Sequence, residues 1–179
     1  MLATLFGFLK VNLFFGAFLA AIIPFCISFF LLDLNSAIYG SDSSKKIIKY
    51  TLNIRLIIAS LIYLIIQPLT IYPDYFDSVV RGMFSGYIAG YLGYFLNIYL
   101  FSKINYYFEK RHLWLNVLIA TSTGELLYSI ISNTLFMLTK FNVAEIMSIT
   151  INGFWFKLLF EIATLPILYF LVYYLLEPV

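Results

Sequence analysis

Gly153-Phe-Trp-Phe-Lys157-Leu-Leu-Phe-Glu161-Ile-Ala-Thr-Leu-Pro166 sets a lysine and a glutamate one helical turn apart inside an otherwise apolar run. The run before it holds a third charge, Glu125, in Ser122-Thr-Gly-Glu-Leu-Leu-Tyr128. Hydrocarbon does not solvate ions, and one such residue at mid-membrane costs about 2.5 to 3.5 kcal/mol on insertion scales. The three side chains therefore require partners or a wet cavity inside a helix bundle. Lysine before glutamate is the weaker order for a pair four residues apart, so an intrahelical salt bridge does not by itself explain them. A triad with Glu125 leaves one negative charge, which a proton or a cationic substrate group would neutralise.

The whole chain supports a membrane setting. Of 179 residues, 63% are hydrophobic and 11% charged, with mean hydropathy +0.94, whereas soluble domains carry about 25% charged residues. Residues 1–179 read as a single transmembrane domain with no room for an appended soluble one. The formal net charge is +2 and the basic residues are dispersed, which excludes a nucleic-acid surface. One cysteine, Cys26, excludes an intrachain disulfide and a cysteine metal cluster.

Apolar runs long enough to cross a bilayer predict an all-α, polytopic integral membrane helix bundle of about five helices, six if the opening run forms two. The first lies within residues 2–32 and is read as retained rather than as a cleaved signal peptide. The others cover about 52–72, 79–101, 115–138 and 146–176. The opening run is expected to be an interfacial or partial segment leading into one tilted or kinked helix, with Pro24 at the kink. Lys45, Lys46 and Lys49, with Arg55 beyond, and the later Lys103, Lys110 and Arg111 mark two cytoplasmic loops. That alternation predicts a cytoplasmic C-terminus. Tyr72, Tyr75, Tyr106, Tyr107, Trp114, Tyr173 and Tyr174 near helix ends predict an interfacial belt.

Gly82, Gly86, Gly90 and Gly93 lie on about one helical face with Asn97. Small residues let helix backbones approach, so this face serves an internal contact, a homodimer, or the edge of a cavity to which Asn97 contributes. Arg81 starts that span as a snorkelling residue or as a guide at a pocket mouth. Ser122, Glu125, Ser129 and Ser132 or Asn133 form a polar stripe on the fourth span. No nucleotide-binding, nucleophile or paired metal-ligand motif occurs, and His112 stands alone, so neither an enzyme nor a bound cofactor is expected.

Three segments are similar to one family, the vitamin-uptake transporters that include bacterial queuosine-precursor transporters. They are Phe29-Phe-Leu-Leu-Asp33-Leu-Asn-Ser-Ala-Ile-Tyr39-Gly40 with Lys45-Lys46, then Arg81 through Ser85 to Asn97-Ile-Tyr-Leu-Phe101, then Gly124-Glu125 joined to Lys157, Glu161 and Pro166. The resemblance covers about four-fifths of the chain. It departs where Ala37, Asn97 and Tyr128 stand in place of family carboxylates, which predicts a pocket less suited to a cation. The resemblance implies a bacterial inner-membrane importer of a 7-deazaguanine base or related planar heterocycle, working by alternating access with proton coupling. The substrate contacts it suggests are Glu125, Lys157, Glu161, Asn97, Arg81, Asp33, Asn133 and Tyr128. Pro24, Pro68 and Pro166 are candidate gates. A substrate-binding subunit of a multi-component energised importer is the other reading.

Overall fold

The computed structural model describes residues 10–13, 16–19, 22–66, 73–108, 112–138 and 141–176. Four helices carry the fold: α1 Ile22–Ile66, α2 Pro73–Tyr107, α3 Leu113–Met137 and α4 Val143–Leu176. Three of them, α1, α3 and α4, are long and apolar enough to cross a membrane by length and composition.

The break in α1 is sharp. Gly40 has φ 81° and ψ 171°, a conformation open essentially only to glycine. Ser36 Oγ donates to Ser44 Oγ at 2.8 Å, although eight residues of straight helix rise about 12 Å. The chain therefore folds back at Gly40, and Ser44 also accepts from Asn35 Nδ2 at 2.6 Å. One apolar cluster draws Phe29 and Leu32 from the first arm, 22–39, and Ile48 and Leu52 from the second, 41–66. These members lie at matching distances on either side of Gly40. Tyr94 and Ile98 of α2 complete the cluster.

This corrects two sequence expectations. The turn after the first span is one residue within helix, not a loop. Lys45, Lys46 and Lys49 sit exposed on the first turns of the second arm, while Arg55 lies deeper, half-buried against Gly86. Pro24 occupies the first turn of α1 and makes no kink there, because the first four N–H groups of a helix lack intrahelical partners and a proline costs nothing. Pro166 lies inside α4, which continues through it; Pro68 and Tyr72 lie outside the described residues.

Part of the opening run is not helical. Lys10–Leu13 (β1) and Gly16–Leu19 (β2) form an antiparallel hairpin. The strand Lys-Val-Asn-Leu alternates polar with apolar, which is the period of a strand rather than of a helix. Open strand edges are not tolerated in hydrocarbon, and β2 lies against α4.

The glycine face is used inside the chain. A Cβ on Gly93 would lie 2.9 Å from the Gly124 carbonyl oxygen, and one on Gly124 would lie 2.8 Å from that of Gly93. Backbone touches backbone, so α2 and α3 form the most intimate pair of the bundle. Gly86 and Gly90 turn instead to Arg55 and Leu52 of α1.

The outward surface is apolar. Ile57, Leu61, Leu64, Ile88, Ile130 and Phe170 are exposed, whereas Asp33, Asn97, Thr121, Glu125, Lys157 and Glu161 are buried. A water-soluble fold has the opposite arrangement. Tyr106, Tyr107, Trp114, Tyr173 and Tyr174 are exposed at helix ends, as an interfacial belt requires.

Candidate functional site

Helix α3 is the spine of the polar centre. Thr121, Glu125 and Ser129 recur every four residues and share one face. The first arm of α1 brings Asp33 to that face and α4 brings Lys157 and Glu161. Two adjoining sets of contacts result, and they are satisfied very differently.

Around Asp33 the carboxylate itself is well supplied with donors, although Asn97 Oδ1 beside it is buried without a partner. Thr121 Oγ1 donates to Asp33 Oδ2 at 2.8 Å, and Asn97 Nδ2 donates to Asp33 Oδ1 at 3.1 Å. Asn97 Nδ2 also lies 3.1 Å from Thr121 Oγ1. The three groups come from α1, α2 and α3 and are all buried. Two donors on one carboxylate tie the first arm to the α2–α3 pair. Thr121 was not foreseen from the sequence, because a threonine in an apolar helix ordinarily bonds its own backbone, as Thr123 does to Ile119.

One turn along, around Glu125, partners are missing. Lys157 is 6% exposed and Glu125 2%, yet among the described residues Lys157 makes no ion pair. Its ammonium donates to Ser129 Oγ at 2.6 Å, and Ser129 donates in turn to the Glu125 backbone carbonyl at 2.7 Å. The remaining solvation comes from rings: the Phe25 centroid is 3.9 Å from Nζ and that of Tyr128 is 5.6 Å. Such cation–π contacts strengthen when water is absent. Phe25 and Tyr128 also pack together, with centroids 4.0 Å apart.

The carboxylates lack an equivalent. Glu125 Oε2 and Glu161 Oε1 are buried with no hydrogen-bond partner, and Glu161 Oε2 accepts only from Ser122, at 3.4 Å. The expected triad is thus a set of charges lining one space without pairing.

That space is a cavity bounded by Asp33, Thr121, Glu125, Lys157 and Glu161, with Cys26, Phe29 and Phe160 among its apolar walls. Its open volume is only about 10 Å³. This is room for roughly one water molecule.

The other expected contacts lie elsewhere. Asn133 donates to Thr150 Oγ1 at 2.9 Å, pinning α3 to α4. Arg81 is half-buried near the start of α2, sixteen residues and therefore about 24 Å of helix rise from Asn97. A larger cleft of about 460 Å³ opens between 41–66 and α2, with walls that include Leu56, Ala59, Leu64, Met83 and Phe84. Arg55 is the one charged residue among its described walls. Ser60, Tyr63 and Tyr87 also line it, but its described walls hold no carboxylate, whereas the smaller cavity gathers three acids and an amine, so the smaller cavity is the better candidate for specific recognition.

An apolar exterior around enclosed carboxylates, an amide and an ammonium defines a multi-pass membrane protein with a polar centre. Residues 19–171 match the sequence model of the family described as Putative vitamin uptake transporter, and the chain belongs to that family. No curated protein gives a significant match to the chain, and no solved structure does.

Proposed function

We propose that the protein carries a small planar heterocycle into the cell through alternating exposure of the cavity between α1, α3 and α4. The observation that carries this reading is the set of buried, partnerless carboxylate oxygens around a space too small for a ligand. Buried polar groups in a membrane protein mark substrate or ion paths, and a carrier must close around its site between openings. We read the chain as a carrier and not an enzyme.

A 7-deazaguanine base of the queuosine-precursor type is the cargo we favour. A flat ring stacks on aromatic faces such as those of Phe29, Phe30 and Phe160 on the cavity wall, while carboxylates accept its N–H edges. Glu125, Glu161 and Lys157 are the proposed contacts, with Asp33 and Asn97 fixing the wall behind them. We read the two arms of α1 as separate crossings and α2 as a further one, five in all with α3 and α4, with the C-terminus on the cytoplasmic side of a bacterial inner membrane. The unpaired negative charge suits coupling to a proton. Gly86, Gly90 and Gly93 are occupied within the chain, so a homodimer would use another surface.

Uptake of labelled 7-deazaguanine by cells unable to make queuosine should depend on this protein and fall at least tenfold in Glu125→Gln at equal protein level, as expected when a charged hydrogen bond is lost. Equal accumulation with and without the protein would remove the cargo. Uptake by the purified chain alone in liposomes supports a self-sufficient carrier. Uptake only with a co-purifying nucleotide-hydrolysing complex would instead make it a binding subunit.

A further inference from the structure

We propose that the cavity is a receptor for a positively charged group of the ligand, taken up between Glu125 and Glu161, and that Lys157 is held away from those carboxylates so that they remain available. This deepens the transporter reading above and rests on it.

Lys157 and Glu161 lie four residues apart on α4, and Glu125 lines the same cavity, yet Lys157 pairs with neither. Its needs are met on the other side by the Ser129 hydroxyl and the Phe25 ring. The hydroxyl that accepts from it is itself committed to the Glu125 backbone carbonyl, and this fixes the ammonium in place. What remains without a partner on the two acids that line the cavity is Glu125 Oε2 and Glu161 Oε1, both buried.

The charge balance points the same way. Asp33, Glu125 and Glu161 stand against Lys157 among the cavity walls. Asp33 already has two donors, from Thr121 and Asn97, whereas Glu125 and Glu161 each keep an oxygen without one. A ligand that offers only acceptors would leave these oxygens as they are, and a neutral donor would satisfy them weakly. A primary ammonium or an amidinium supplies charge and several N–H donors together, and such charge-assisted bonds are about twice as strong as neutral ones. Of the three acids on the cavity wall, Glu125 and Glu161 are the two that keep an oxygen without a donor.

The test uses the full chain in lipid nanodiscs and two isosteric probes, benzamidine (charged) and benzamide (neutral). The wild type should bind benzamidine at least tenfold more tightly than benzamide. Glu125→Gln and Glu161→Gln should each weaken benzamidine roughly 10- to 100-fold and move benzamide by no more than about twofold, as expected when a charged acceptor becomes a neutral one. Lys157→Met should tighten benzamidine by removing a competing positive charge. If a glutamine variant fails to yield folded protein, the wild-type ratio and Lys157→Met decide the matter. Equal binding of the two probes, no binding of benzamidine, or unchanged benzamidine affinity in folded glutamine variants would overturn the proposal; neutral, protonated carboxyl groups would give that last result. A preference for benzamidine without uptake of 7-deazaguanine would remove the cargo and leave the receptor standing. Uptake of 7-deazaguanine without that preference would do the reverse.

Discussion

Asp33 meets α3 at Thr121, one turn from Glu125, and both acids are 2% exposed, yet their surroundings differ in kind. Asp33 receives donors from two other helices; Glu125 keeps an oxygen with none. A buried carboxylate that is fully bonded holds elements together, and its loss leaves its partners stranded. A buried carboxylate lacking partners contributes little to the fold and is retained for what it will meet. Stability should therefore depend on the first node and transport on the second, and three substitutions examine that division.

The largest effect lies outside both nodes, at the contact that positions them. Gly124→Leu forces a side chain into the Gly93 carbonyl and Asn97. Because backbone cannot yield as a flexible side chain does, the cost should be about 3 kcal/mol or more, seen as loss of monodisperse protein in fluorescence-detected gel filtration. An intermediate effect is expected at the bonded node. Thr121→Val removes a donor from Asp33 and should lower stability by about 1–3 kcal/mol, read as an earlier thermal transition in detergent. The smallest belongs to Glu125→Gln, which should change thermal stability by no more than about 0.5 kcal/mol, since no existing bond to Oε2 is lost. Were this variant to destabilise the protein more than Thr121→Val does, the division between the nodes would collapse.

Much of the centre was legible in the chain because ions in an apolar run have few places to go. Glu125, Lys157 and Glu161 do line one cavity, and Gly93 on the glycine face of α2 does receive the backbone of another helix, while Gly86 and Gly90 receive side chains. Helices α3 and α4 begin and end within a few residues of the expected spans. What was not legible depends on tertiary geometry. Nothing in residues 121–125 separates the threonine that bonds Asp33 from the neighbour that bonds its own helix. The turn at Gly40 was hidden because flanking serines and lysines read as a loop, whereas each arm stays helical up to a single glycine. The lysine's choice of a ring and a hydroxyl over a carboxylate follows from where Phe25 arrives, and that is set by the fold-back and not by local sequence.

The fold-back at Gly40 also separates duties between its arms. The first arm supplies Cys26, Phe29 and Asp33 to the cavity wall, while the second supplies Leu56, Ala59 and Leu64 to the lipid-like cleft on its other side. With one residue between them, the articulation is a fulcrum: tilting the first arm would unseat Asp33 and the Phe25 ring together. The recognition surface and the ammonium's resting place would then be released in a single stroke.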